Sequence, residues 1–401
     1  MAQPRSKRLG LAALTSLATA ALVGGLTALP AQAAPAEGRV LAADSPSAVK
    51  NSYIVTLRKS AGLKASSAAA KSLVKGYGGS VERTFGSALN GYSASLSAGE
   101  ARRLAADPAV ASVEQNQRVS LAATQTSAPW GLDRIDQPSL PLSRTYTYPD
   151  SAGSGVTVYV VDTGVRITHQ QISGRAAHGY DAVDGDNDAS DGNGHGTHVA
   201  TTVAGSTYGV AKKAKVVGVR VLNNSGSGTT AGVIAGIDWV TRNHSGPSVA
   251  NLSLGGGAST ALDTAVRNSI ASGVTYAVAA GNSNTSASSS SPARVAEALT
   301  VGATTSSDAR ASYSNYGSAL DLFAPGSSIT AGWHTSDTAT NTISGTSMAT
   351  PHVAGAAAVY LAGHPSAGPA QVASALVAGA ATGKVTGPGA GSPNRLLQLV
   401  G

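Results

Sequence analysis

The 401 residues contain no cysteine, which excludes a thiol nucleophile and a disulfide framework. Durability has to come from packing and from bound ions. Charged residues make up only 12 % and aromatics 4 %, against 48 glycines and 42 % hydrophobic residues. That balance excludes a disordered chain and points to a turn-rich globular protein with a core of small side chains. Beyond the N-terminal stretch there is no apolar run long enough to span a membrane. The net charge of +7 also lacks the distribution of a nucleic-acid binder. Residues 1–122 hold 14 Lys+Arg and 6 Asp+Glu, leaving 14 basic and 15 acidic groups for residues 123–401. The basic excess thus sits away from the large C-terminal region, where a working basic patch would be needed.

The N-terminus has the three-part form of a secretory signal over residues 1–33. Arg5, Lys7 and Arg8 are followed by an uncharged Ala/Leu-rich stretch, then by the small residues of Ala31-Gln32-Ala33. A retained anchor is the alternative, disfavoured by that cleavage-like site and by Gly24-Gly25 inside the run. The expected product is secreted and extracellular, with no membrane association after signal cleavage. Residues 34–50, rich in Ala, Pro and Ser, read as a flexible leader. Over 51–117 the pattern predicts strand–helix–strand–strand–helix–strand, a small α+β (ferredoxin-like) sandwich. Ser97 and Glu100 are placed for a capping box at its second helix. Residues 118–129 read as an exposed, cleavable linker.

From residue 130 on, short Val/Ala-rich strands alternate with helices, as in a mostly parallel sheet covered on both faces. Strands are expected at 155–161, 215–221, 249–254, 274–280 and 299–302, and helices at 195–203, 230–243, 260–272 and 347–361. In such sheets functional residues collect beyond the carboxyl ends of the strands.

Three motifs fall there. Asp162 follows Val160-Val161 and precedes Thr163-Gly164, a setting that on its own reads as a turn. His195 lies between glycines in Asn193-Gly194-His195-Gly196-Thr197-His198, where the backbone can approach closely and the imidazole is uncrowded. Ser347, in Gly345-Thr346-Ser347-Met348-Ala349-Thr350-Pro351-His352, stands where a loop becomes a helix, so free N–H groups face its oxygen. A fourth piece, Ala280-Gly281-Asn282, ends a strand; its amide is a candidate donor to an oxyanion beside the Ser347 N–H, or an ordinary turn residue. An acid, an imidazole and a serine are the parts that acyl transfer needs. Their order in the chain is Asp, His, Ser, and no Gly-x-Ser-x-Gly elbow surrounds the serine. His198 has no Glu at a zinc-protease spacing and His352 lies inside a small-residue helix, so both read as structural.

The stretch from Trp130 to the C-terminus resembles the subtilase family, its proteinase K branch and, within that, the aqualysin-like proteases. The triad motifs carry the likeness together with Trp130-Gly131-Leu132-Asp133-Arg134-Ile135-Asp136-Gln137, Asn315-Tyr316-Gly317 and Ser392-Pro393-Asn394-Arg395. It implies an α/β three-layer subtilisin-like fold at 123–401 and a secreted serine endopeptidase with Asp162, His195 and Ser347 as triad and Asn282 in the oxyanion hole. Residues 51–117 resemble the family's inhibitor-like propeptide, which implies a propeptide over 34–122, an autoprocessed precursor held inactive by it and a mature chain starting at Ala123. By the same resemblance a protein or peptide substrate lies as an added strand between Gly226-Ser227-Gly228 and Ser253-Leu254-Gly255, with Ala280, Gly281 and Asn282 completing a small, uncharged S1 pocket. Broad cleavage with apolar or aromatic P1 residues follows. Structural calcium is implied at two places, Asp321 with the carbonyls of Ala296 and Ala298, and Asp133, Asp136, Gln137 and Ser143; Asp181 and Asp186 form a weaker third. No catalytic metal and no nucleic-acid partner are expected, and the enzyme is expected to be a monomer. Asp184-Gly185-Asp186-Asn187-Asp188 is not an EF-hand, because Ala189 and His195 stand at its sixth and twelfth positions. The rival reading is a non-catalytic subtilase-like binding protein, which would usually have lost a triad member.

Overall fold

The structure, a computed structural model, describes residues 36–43, 48–117 and 122–400. The signal-like stretch 1–33 and residues 118–121 lie outside the described residues. The chain divides into a smaller unit built on Lys50–Gln115 and a larger one running from Asn116 onward.

The smaller unit is one sheet with two helices. Its strands lie in the order Val40–Leu41, Val110–Gln117, Ala48–Leu57, Gly91–Ser95, Ser80–Phe85. The expected helices are Ala68–Gly76 and Ala98–Ala105, and they close a core that includes Tyr53, Val55, Val74, Tyr92, Leu104 and Val113. Ser97 and Glu100 form the reciprocal capping box, with Glu100 accepting the Ser97 N–H at 2.6 Å. The leader is more structured than its composition suggests. Val40–Leu41 pairs in parallel with Val113–Glu114, and the first long strand begins at Ala48.

The larger unit is a nine-stranded sheet between two helical layers. Across the sheet the strands run Ala381–Thr382, Arg395–Leu396, Leu322–Pro325, Leu299–Thr304, Thr275–Ala279, Ser248–Leu252, Thr157–Asp162, Lys215–Arg220, Ala176–Asp181. Every neighbouring pair is parallel except Ala381–Thr382 with Arg395–Leu396. The period of two in a strand assigns its side chains to opposite faces. Val158 and Val160 pack with Val199, Val203, Val353 and Val372, from helices His195–Ala204, Thr346–Gly363 and Pro369–Gly379. Tyr159 and Val161 pack on the other face with Ile237, Val240 and Val266, from helices Thr230–Asn243 and Thr260–Ala271. Burying each such side chain contributes about 1.5–3 kcal/mol, so Val-rich runs with no polar face become the central strands.

Several features depart from the sequence reading, two of them instructive. The second half of the expected linker is a strand, Ala122–Thr126, paired antiparallel with Thr145–Pro149. Both segments alternate β-branched or aromatic with polar residues, a signal that an isolated Ala/Thr-rich stretch does not carry. The strand Leu322–Pro325, fully buried in the sheet, also escaped prediction: its Pro325 argues against a central strand.

Candidate functional site

Asp162 is the last residue of the central strand Thr157–Asp162, and its side chain is wholly buried. Its Oδ1 accepts the Thr163 N–H at 2.7 Å and lies 2.7 Å from Nδ1 of His195, the first residue of its helix. The two loops can approach this closely because residue 196 is glycine: a Cβ there would stand 2.0 Å from the Gly164 carbonyl oxygen. Burial disfavours charge on the His195 imidazole, but the Asp162 carboxylate, by charge and hydrogen bond, outweighs it with help from Asp191. The pKa is therefore held above the ordinary histidine value.

Asp191 is a residue that sequence reasoning did not single out. Its Oδ1 accepts from the Thr163 hydroxyl, the Asn193 N–H and the Gly194 N–H, each at 2.9 Å. Its Oδ2 accepts the Thr197 N–H at 2.9 Å and the Thr197 hydroxyl at 2.6 Å. One carboxylate thus joins the turn after Asp162 to the first turn of the His195 helix. The available signal was an acidic residue just ahead of a helix start, where N–H groups lack partners.

Ser347 lies in the first turn of Thr346–Gly363. Pro351 has no N–H to give the Ser347 carbonyl four residues earlier. That carbonyl instead accepts the Ser253 hydroxyl at 2.8 Å, and Asn251 Nδ2 donates to the same hydroxyl at 2.9 Å. In return the Ser347 hydroxyl donates to the Ser253 carbonyl at 3.0 Å. The hydroxyl is therefore turned toward Ser253, and the structure brings Asp162 to His195 without a Ser347–His195 hydrogen bond. Asn282 Oδ1 accepts both the N–H of Thr346 (2.8 Å) and its hydroxyl (2.9 Å). With its oxygen engaged, the amide has its Nδ2 end free: a Cβ built on Gly345 would lie 3.5 Å from Asn282 Nδ2 and 3.6 Å from the Ser347 nitrogen. The two donors flank one small volume.

A groove of about 580 Å³ is lined by His195, Gly226, Ser227, Gly228, Ser253 and Leu254, among others. A cavity of about 370 Å³ is lined by Ser347, Asn282, Ala280, Gly281 and Asn315. The two share Leu254, Gly255, Gly256 and Gly257, so the serine and histidine open onto one continuous cleft. No charged side chain lines the smaller cavity.

Among the described residues no group of three or more His, Asp or Glu is arranged to hold a metal, so a cation would need main-chain and hydroxyl oxygens too. Asp136 Oδ1 is buried with no hydrogen-bond partner, and burial and then the Asp133 charge raise its pKa against the Thr147 N–H that lowers it. Asp133 is committed to Ser143 and Arg144, and Gln137 Oε1 accepts from Ser143 N–H. Asp321 accepts the Thr300 N–H at 2.8 Å, beside the turn that holds Ala296 and Ala298; burial pushes its carboxyl up to about 6. The weak third site does not fit: Asp181 is buried, and Arg220 bonds both Asp181 and Asp184. The arginine reaches them because Arg220 and Asp181 are register partners on adjacent strands. It supplies the positive charge that a cation would have brought. His198 and His352 are buried and bond the carbonyls of Ile329 and Met348, and burial pulls both rings down to about 4.

The sequence matches the Subtilase family over residues 153–396 and the Peptidase inhibitor I9 family over residues 42–122. An extracellular serine proteinase of Thermus sp. (strain Rt41A) is 51% identical over 92% of this chain and 94% of its own length. Alkaline serine exoprotease A of Vibrio alginolyticus is 51% identical over 79% of this chain, which spans 60% of that protein. The crystal structure of a cold adapted subtilisin-like serine proteinase is 58% identical, with a TM-score of 0.67, and covers 69% of this chain and 100% of that one.

Proposed function

Because the chain belongs to the subtilase family and is a serine endopeptidase, we propose that it cleaves proteins broadly, through Ser347 as nucleophile, His195 as proton carrier and Asp162 as the acid that orients it. The observation that carries this reading is the 2.7 Å contact of a buried carboxylate with a histidine whose cleft is shared by a helix-start serine.

In the first step the Ser347 hydroxyl swings from the Ser253 carbonyl to His195 Nε2 and gives it a proton as Oγ attacks the substrate carbonyl carbon. The oxyanion that forms is met by Asn282 Nδ2–H and the Ser347 N–H, which need no reorganisation because Thr346 already pins the amide. Collapse breaks the C–N bond; the imidazolium returns its proton to the leaving amine and an acyl-Ser347 remains. Water, deprotonated by His195, then releases the acid product and restores the hydroxyl. The Ser253 carbonyl, vacated by the nucleophile, is free to accept a substrate N–H, with Gly226–Gly228 as the opposite edge.

The uncharged S1 cavity supports a preference for apolar or aromatic P1 residues. Across a peptide library, cleavage after Phe, Tyr or Leu should exceed cleavage after Lys or Arg, and casein should be degraded. A dominant cut after basic residues would overturn the specificity reading.

Residues 1–33 act as a secretory signal and 34–122 as a propeptide that inhibits in cis until self-cleavage, leaving 123–401 as a secreted monomer. The inhibitor-family match and a relative named extracellular support this. Calcium is the structural cation that suits the carboxylate oxygens of Asp136 and Asp321. Asp321 has a folded pKa above its unfolded value, so without a cation it costs stability as pH rises toward and past about 6. A bound divalent ion removes that cost, stabilising by about 2.7 kcal/mol at 100 times its Kd. Chelation at pH 8 should lower the midpoint of thermal unfolding, and the same treatment at pH 5 should lower it less. Equal midpoints with and without chelator at pH 8 would remove calcium from the account.

A further inference from the structure

The segment that carries Asn282 runs without regular structure from the strand end at Ala279 to the short turn Ala287–Ser289. Thr346 fixes the side-chain amide of Asn282 and its hydroxyl accepts the Gly281 N–H at 3.1 Å, but it makes no bond to Ala280 or to residues 283–285. Those positions are held from residues 313–315: the Tyr313 carbonyl accepts the Asn284 N–H at 2.9 Å, and Asn315 takes the rest. Asn315 is 2 % exposed and lies against the segment. Its Nδ2 donates to the Ala280 carbonyl at 2.8 Å. Its Oδ1 accepts the N–H groups of Ser283 and Thr285, both at 3.0 Å, and the Thr285 hydroxyl at 3.3 Å. Its own N–H donates to the Gly281 carbonyl at 2.9 Å. Asn315 therefore holds residues 280, 281, 283 and 285 and leaves residue 282 untouched.

The fit is tight from both sides. Gly281 has φ +100°, a region that side chains avoid, and a Cβ there would stand 2.5 Å from Asn315 Nδ2. Only a primary amide of this length offers a donor toward Ala280 and an acceptor toward Ser283 and Thr285 at once. The Ala280 carbonyl and the two N–H groups are loop groups with no sheet ladder to satisfy them, so losing the amide also leaves them without those partners.

We propose that Asn315 is a positioning residue that sets the Asn282 donor at the oxyanion, and thereby acts on the transition state through Asn282. The proposal rests on Asn282 being that donor, as assigned above. A misplacement of about 1 Å in a preorganised donor costs up to about 100-fold in rate, so Asn315→Ala should lower kcat by about 10- to 100-fold while KM for a peptide substrate changes little.

The test is a double-mutant cycle in the full precursor, matured by added wild-type enzyme that is then removed through a tag. Asn315→Ala, Asn282→Ala and the double variant are compared for kcat and KM on one peptide substrate, with thermal unfolding measured on each. The expected result is a fall in kcat for either single variant and no further fall when Asn315→Ala is added to Asn282→Ala. An equal fall in both backgrounds, or a change confined to KM, would show Asn315 to be a general scaffold and overturn the proposal. If Asn282→Ala alone leaves kcat unchanged, the donor assignment itself fails, which is a separate outcome. Should Asn315→Ala lack a cooperative unfolding transition, Asn315→Asp, which keeps the acceptor for Ser283 and Thr285 and loses the donor to Ala280, is read by the same cycle.

Discussion

Ser347→Ala should leave a precursor that keeps its full length and does not digest casein, with kcat lower by about 10⁶, the scale already established for this nucleophile in the subtilisin family. The size of the effect follows from the chemistry. Without Oγ there is no acyl-enzyme, and the rate left over comes from water attack aided by the oxyanion donors alone. The fold should hardly respond. Oγ makes one hydrogen bond, to the Ser253 carbonyl, while the Ser253 hydroxyl still reaches the main-chain carbonyl of residue 347. A cooperative thermal unfolding transition, together with absent processing, separates lost chemistry from lost structure. Processing at the wild-type rate would assign the nucleophile elsewhere.

Asp162→Asn should have the next largest effect, about 10⁴ in kcat, the scale seen when the orienting acid of such a triad becomes an amide. An amide can turn its NH₂ toward Nδ1 and favour the tautomer with the proton on Nε2, where it blocks uptake of the Ser347 proton. The pH profile provides a second readout. In the wild type, burial works against the imidazolium and Asp162 with Asp191 more than offsets it, so the pKa lies above the ordinary histidine value. Activity needs the neutral ring, and the acid limb of kcat/KM should therefore lie above the ordinary value of about 6.5. Removing the Asp162 charge leaves burial and shifts that limb to lower pH. Stability moves with the same sign. A raised folded pKa stabilises the fold below the unfolded value and loses that contribution as pH rises through the folded value. The variant should therefore lose stability at acid pH more than at alkaline pH. An unchanged acid limb would mean that Asp162 does not set the protonation of His195.

Much of the fold is legible in the sequence because burial on both faces leaves an unambiguous mark. Thr157–Asp162, Ser248–Leu252 and Thr275–Ala279 are runs with no polar face, and each lies within a residue or two of its expected place. Ala176–Asp181, at the sheet edge, carries Ala, His and Gly and has no such mark. Ala122–Thr126 takes its meaning only from Thr145–Pro149, a partner that composition cannot reveal. The chemical residues stand out for another reason: Asp162, His195, Asn282 and Ser347 all follow strand ends or start helices, positions that a parallel sheet turns toward one cleft.

What stays hidden is the layer that holds them. Asp191 was lost among neighbouring acids, because nothing in the sequence says that its two oxygens meet donors from Thr163 and Thr197. Asn315 was noticed as part of a familiar run without a task, since its partners lie about 30 residues earlier in the chain. Arg220 lies far beyond the acidic run in the chain, yet it bonds Asp181 and Asp184 and balances their charge. Each of these contacts joins separate loops, so its existence depends on the closed fold and not on local pattern.

The claim on which the rest depends is that Ser347 carries an activated hydroxyl. Treating the mature enzyme with a fluorophosphonate and mapping the adduct by peptide mass spectrometry tests it most directly. One phosphonyl group on the peptide containing Ser347, formed in step with loss of activity and absent in His195→Ala, is the predicted result. An adduct on another residue, or full activity in enzyme labelled at Ser347, would contradict it.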